Sequence, residues 1–100
     1  MIIYYIEITI QKDICKEWVR WMKKKHIPDM MATKMFIRQH FSKDEFIEYR
    51  YHISYELKNM NDYIRYTEEF AKDLQNDHLI RFKDKFNAKR RILTEMKNFH

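Results

Sequence analysis

The sequence predicts an α+β fold, a four-stranded antiparallel sheet with helices on one face, in the order strand, helix, strand, strand, helix, strand. Three observations carry this reading. Residues 2–10 alternate Ile2, Tyr4, Ile6, Ile8 and Ile10 with Ile3, Tyr5, Glu7 and Thr9, the period of a strand. Residues 35–57 alternate again in two consecutive runs, which reads as a hairpin. Between and after these strands, apolar residues recur at helical spacing.

The first half of the opening strand is apolar on both sides, which suits a central strand covered on each face. The helix that follows carries Ile14, Trp18 and Met22 in one row with Trp21 beside them, and His26 extends that row by a turn. Asp13 can cap its start. Ile27 precedes Pro28, so the helix is expected to stop there, with one more turn available over 29–34. In the second strand Met35, Ile37, Gln39 and Phe41 alternate with Phe36, Arg38, His40 and Ser42. The third spans 47–57, with Ile47, Tyr49, Tyr51, Ile53, Tyr55 and Leu57 on the apolar face. Matching the two apolar faces needs an odd connection, for example roughly three residues within Ser42 to Glu45.

Residues 59–75 return to helical spacing through Tyr63, Thr67, Phe70 and Leu74, with Asn59 or Asn61 as cap and a break at Asn76-Asp77. A short helix with His78, Leu79 and Phe82 follows, then a last strand over 86–96 with Phe86, Ala88, Ile92 and Met96 on one side, interrupted by Arg90. This order is the ferredoxin-like βαββαβ arrangement, in which two helices cover one sheet face. The other face carries Ile3, Tyr5 and Phe36 among Glu7, Arg38, His40, Glu48, Arg50, His52, Lys89 and Arg91, a mixture that suits sheet-on-sheet dimerisation or exposure to water. The expected organisation is one domain over residues 1–97 with a frayed tail at 98–100.

Composition narrows the function classes. With twenty basic against fifteen acidic residues the net charge is +5, which permits nucleic-acid or acidic-ligand binding without demanding either. Glycine is absent, so Gly-rich phosphate-cradling loops are excluded and no nucleotide cofactor is expected. The single Cys15 reads as a packing residue in a reduced compartment. The first ten residues contain Glu7 and lack a basic lead or a cleavage site, so a signal peptide is not expected, and no run approaches the length of a membrane span. The expected location is the cytoplasm.

Taken together, Met1-Ile2-Ile3-Tyr4, the pattern Trp18, Trp21, Met22, His26, Ile27 and Pro28, the tyrosine-rich third strand, and His78 followed by Arg81-Phe82 resemble a short bacterial family of unknown function. That family is similar to the dimeric α/β-barrel superfamily, which includes antibiotic-biosynthesis monooxygenases, muconolactone isomerases and stress-responsive barrel proteins. The resemblance implies a homodimer joined through the sheets, with a pocket in each subunit between helices and sheet. The family pattern places glycines after the Pro28 segment and after Arg81-Phe82. Here Lys34 or Met35 and Lys83 stand there, so any left-handed turn must be made by a residue with a Cβ, at some cost.

The candidate catalytic residues are His26 and His78, each on the apolar side of a helical piece, because an imidazole exchanges protons near neutral pH without a cofactor. A structural role competes, in which such a histidine bonds a carbonyl or caps a helix C-terminus. Trp18, Met22, Tyr55 and Phe82 are the candidate ligand-binding residues, for a small apolar or aromatic ligand; tryptophans at helical spacing also simply pack. No metal site is expected, since His40 and His52 share a face without standing opposite each other and no further ligands join them. Ser42 and Ser54 lack the sharp elbow that exposes a nucleophile. Three functions stand: a small-molecule binder acting as a cofactor-independent monooxygenase or isomerase, a non-catalytic dimeric interaction module, or an RNA-binding domain. For the last, the third strand lacks the glycines of the RNP signature, and Tyr5 and Phe36 alone could stack bases.

Overall fold

In the computed structural model, which describes residues 1–96, β1 (Ile2–Ile10) lies inside the sheet, as its apolar flanks require. It pairs antiparallel with β3 (Arg50–Leu57) on one side and β4 (Phe86–Thr94) on the other, and β2 (Arg38–Lys43) closes the far edge, giving the order β2-β3-β1-β4. Ile2, Tyr4, Ile6, Ile8 and Ile10 all bury against the helices. The expected tail at 98–100 and the boundary at 97 lie outside the described residues.

The first helical stretch differs from expectation at both ends. It opens with a 3₁₀ turn, Lys12–Ile14, and Asp13 does not cap it; that carboxylate instead lies 3.6 Å from Lys85 Nζ. α1 (Cys15–Trp21) runs into a π turn, Met22–His26, and then into α2 (Ile27–Ala32) without stopping at Pro28. A proline clashes with the carbonyl four residues before it. The wide turn resolves this: Ile27 N–H bonds the carbonyl of Met22, five residues back, so the extra residue opens the helix just ahead of the proline. Ile27 stays helical, with φ −63° and ψ −45°.

Phe36 is the second correction. It is not on the open face but buried against the helices, with ring centroids 4.8 Å from Tyr55 and 4.9 Å from Tyr66. The strand begins only at Arg38, so the alternation read from residue 35 does not hold before it, and Ile37, expected inward, is exposed. The hairpin connection is also longer than expected, Asp44–Tyr49. Asp44 Oδ1 accepts N–H bonds from Phe46 and Ile47 at 2.9 and 2.8 Å, and this local turn withdraws Ile47 and Glu48 from the ladder. Lys43 stands opposite Tyr51 with Arg50 beyond the last pair, so seven residues separate the paired positions, an odd number, and the apolar faces of β2 and β3 match as the parity argument requires.

α3 (Met60–Glu69) is capped by Asn59, whose Oδ1 accepts the Asp62 N–H at 2.9 Å. The break falls at Phe70, not at Asn76-Asp77, which lie within α4 (Ala71–Arg81). Asn and Asp inside a helix cost only tenths of a kcal/mol each, too little to end one that packing holds. The buried row is carried by Tyr66, while Thr67 faces solvent. β4 ends at Thr94, leaving Met96 beyond it and exposed.

With no glycine available, Lys34, Tyr49 and Asp84 adopt positive φ, at 65°, 61° and 62°. Lys34 follows Thr33, the C-cap of α2, and its N–H bonds the Met31 carbonyl, which is the place where a glycine ends most helices. Lys34→Gly should therefore stabilise the fold by about 0.5–1 kcal/mol, since relief of the left-handed penalty exceeds the added chain entropy. Urea unfolding checks this; an unchanged or lower midpoint would show that the lysine side chain contributes more than its backbone costs.

Candidate functional site

The π turn sets the geometry beneath the helices. Trp21 and His26 are five residues apart, which on a regular α-helix places them about 140° apart around the axis. The extra residue brings them to the same side, where the rings stack at 5.0 Å and 23°. His26 is thereby turned toward α4, with its ring 5.7 Å from that of His78.

Both histidines line one cavity between the helices and the sheet, together with Tyr4, Met22, Tyr55 and Arg90. In this conformation the cavity offers about 30 Å³ to the centre of a water molecule, room for one or two waters. Its walls are mainly apolar, from Ile6, Ile8, Met30 and Ile53. Among the described residues three buried side-chain polar atoms have no hydrogen-bond partner in the protein: Gln39 Oε1 on β2 and, on this cavity, His26 Nδ1 and Tyr55 Oη. Buried polar atoms are nearly always paired, so two orphans on one cavity mark it as a place that receives something polar.

Protonation follows from surroundings. Trp18 Nε1 donates to His78 Nε2 at 2.9 Å, and an indole can only donate, so the His78 proton sits on Nδ1. Burial first, and then repulsion from a protonated His26 and from Arg90, bring the His78 pKa down to about 3. Burial likewise lowers His26 to about 4, against an opposing pull from Asp77 and Asp29. Both rings are neutral at pH 7. The Tyr55 hydroxyl is raised by burial, then by the Tyr4 oxygen nearby, and remains a donor.

Of the residues expected at the site, Met22, His26, Tyr55 and His78 line the cavity. Trp18, wholly buried, and Phe82 do not line it: Trp18 bonds His78 and Phe82 packs on the same ring at 5.6 Å. Sequence reasoning misses Tyr4, Tyr66, Gln75 and Arg90, which also line it. Arg90 is visible in the sequence as the one break in an apolar row; Tyr66 is hidden because helical spacing counted through Thr67 places it off the buried row.

A second constellation lies on the open sheet face. Asp44 Oδ2 accepts from His52 Nε2 at 2.6 Å, and His52 Nδ1 then accepts from the Tyr5 hydroxyl. The His52 bond, with the Phe46 and Ile47 N–H groups, holds the Asp44 carboxyl down at about 2. Around this chain run Arg38–Glu56 at 3.0 Å and Arg50–Glu7 at 4.0 Å. His40 stands opposite Ser54 and His52 opposite Ser42, so the two rings are offset. Among the described residues no three His, Cys, Asp or Glu side chains converge as a metal-binding set, and no helix is long and apolar enough to cross a membrane.

Comparison with solved structures supports the fold. A dimeric ferredoxin-like protein from an uncultured marine organism superposes with a TM-score of 0.75 at 12% identity, over 100% of this chain and 99% of that chain. A candidate antibiotic biosynthesis monooxygenase from Nitrosomonas europaea gives 0.72 at 12% identity, over 96% and 99%. SnoaB, a cofactor-independent oxygenase from Streptomyces nogalater, gives 0.67 at 9% identity, over 97% and 94%. At such identities the likeness is one of fold. No curated protein sequence matches the chain. A family profile does match, over residues 1–96, and by that match the chain belongs to the family described as Domain of unknown function (DUF4286).

Proposed function

We propose that this protein binds a small molecule in the cavity beneath its helices, as a homodimer joined through the open sheet face, and that His26 moves a proton there without a cofactor. The observation that carries the reading is the pair of orphaned polar atoms, His26 Nδ1 and Tyr55 Oη, on one apolar cavity. His78 has its Nε2 lone pair engaged by Trp18, which leaves it a donor through Nδ1; His26 is the ring with a nitrogen free. A neutral His26 can take a proton from an acidic C–H or O–H of the ligand. The resulting anion either regains the proton at another carbon, an isomerisation, or is oxidised by O₂, an oxygenation. The SnoaB comparison supports the second outcome only as an analogy of fold.

The test combines His26→Ala, His78→Ala and Tyr55→Phe with a panel of small aromatic and quinone-like compounds, read by NMR shifts and by turnover. Tyr55→Phe should hold or gain up to about 1 kcal/mol of stability, because it removes an unsatisfied buried hydroxyl, while losing ligand affinity. Histidine variants that leave affinity and turnover intact overturn the catalytic reading. Sedimentation at twice the chain mass supports the dimer; a monomer at micromolar concentration overturns it.

The hydrogen-bonded Tyr5–His52–Asp44 chain on the open face favours a second reading, a non-catalytic dimer that acts through partner proteins. Reproducible turnover of any metabolite would exclude it. RNA binding is the weakest of the three. With Phe36 turned into the core, Tyr5 is left as the open-face aromatic among the described residues, too little for a stacking platform.

A further inference from the structure

Arg90 lines the cavity but has no part in moving the proton. It lies on the helix-facing row of β4, opposite Ile6 and between Ala88 and Ile92, where the sheet is otherwise apolar. Arg38, Arg50, Arg65 and Arg81 each lie within 4.0 Å of a carboxylate, whereas among the described residues Arg20, Arg90 and Arg91 do not, and of these three Arg90 lines the cavity. None of the residues lining the cavity is acidic. Its positive charge is felt by Tyr4, His26, Tyr66 and His78, four of the polar side chains that line the cavity.

The donors and acceptors of the cavity are unequal. Tyr55 offers an unused O–H, and Tyr66 spends its own on Met30 Sδ at 3.5 Å. Arg90 adds guanidinium donors at the exposed rim, and both histidines are neutral. A cavity with one unopposed cation, a free phenolic donor and apolar walls is complementary to an anion with a short apolar body. Size narrows this further: room for one or two waters admits only a few carbon atoms before Met22 and Met30, the adaptable side chains of the wall, must move.

We propose that Arg90 anchors the ligand of this cavity and that the ligand is a small organic carboxylate, its charge shared between the guanidinium at the rim and the free Tyr55 hydroxyl, close to His26, and its short apolar body against Ile6, Met22 and Ile53. This rests on the cavity being the ligand site and adds the ligand's chemical class. It also gives the anion a second effect, since a carboxylate beside His26 offsets the nearby cation and raises the readiness of that ring to accept a proton.

The experiment is an NMR titration at pH 7 of the full chain with acetate, butyrate and benzoate, each set against its neutral amide, in the wild type and in Arg90→Gln and Arg90→Lys. Butyrate should bind about tenfold or more tightly than butyramide, Arg90→Gln should abolish that preference while leaving amide binding in place, and Arg90→Lys should keep part of it. Bound butyrate should also raise the His26 titration midpoint in the wild type but not in Arg90→Gln. If amides bind in the cavity as well as the acids, or if Arg90→Gln keeps the preference, the carboxylate assignment is overturned and the cavity reading survives. If no compound shifts the resonances of Ile6, Met22 and Ile53, the cavity reading falls and this assignment with it.

Discussion

Acidification from pH 7 to pH 4 should destabilise the protein by on the order of 3 to 6 kcal/mol, through His26 and His78. The sign follows from linkage. Both rings titrate near 6.5 in the unfolded chain and are lowered in the fold, to about 4 and about 3. Below pH 6.5 the unfolded chain binds protons that the native state refuses, so stability falls as the pH drops and levels off only below the folded values. Single domains hold about 5–15 kcal/mol in total, so this loss brings unfolding close to pH 4. Asp44 acts in a separate, lower window: its carboxyl is depressed, so its contribution is present above about pH 4 and lost as the pH falls through about 2. Urea midpoints at pH 7 and 4.5 check the prediction. His78→Gln, which keeps an acceptor for Trp18, should flatten the dependence, and equal midpoints at both pH values in the wild type would show that neither ring is held neutral by the fold.

Trp18→Ala should cost about 3–5 kcal/mol, at the upper end for a point substitution. The side chain is fully buried, packs on Tyr51 at 5.1 Å and Phe41 at 5.8 Å, and donates to His78. Trp18→Phe separates packing from hydrogen bonding: it retains an aromatic ring but removes the donor, with an expected cost of about 1–3 kcal/mol. It also frees His78 Nε2, so the His78 ring should titrate closer to the ordinary histidine range. Calorimetry gives the first quantity and NMR titration of the ring the second. A Trp18→Phe protein in which His78 titrates as before would show that burial and the neighbouring charges keep that ring neutral without the hydrogen bond.

Local pattern and tertiary structure part company at particular residues. Alternation counted from residue 35 assigns Phe36 to the open face, yet the ladder starts at Arg38 and the chain before it is irregular. Pro28 reads as a stop because the rule against a proline in a helix assumes regular α spacing; a π turn evades it. The same turn brings Trp21 onto His26, a contact that helical periodicity assigns to opposite sides. The resemblance implies left-handed turns at Lys34 or Met35 and at Lys83; the chain makes the first at Lys34 and the second one residue later, at Asp84.

By itself the sequence determined the strand and helix order, the faces of β1, β3 and β4 and the parity of the hairpin, because each depends on the period of side chains along a local backbone. It narrowed the α3 cap to Asn59 or Asn61, and the structure decided for Asn59. It also marked His26, His78 and Arg90 as polar residues on apolar rows, with Trp18 and Met22 beside His26. Only the tertiary structure decided which of these meet. Trp18 and His78 are distant in the chain yet share a hydrogen bond, and Asp44, His52 and Tyr5 form one polar chain from three separate segments. The reason is physical: periodicity reports the direction in which a side chain leaves its own element, whereas a site requires the distance between elements, which is set by packing and by one irregular turn.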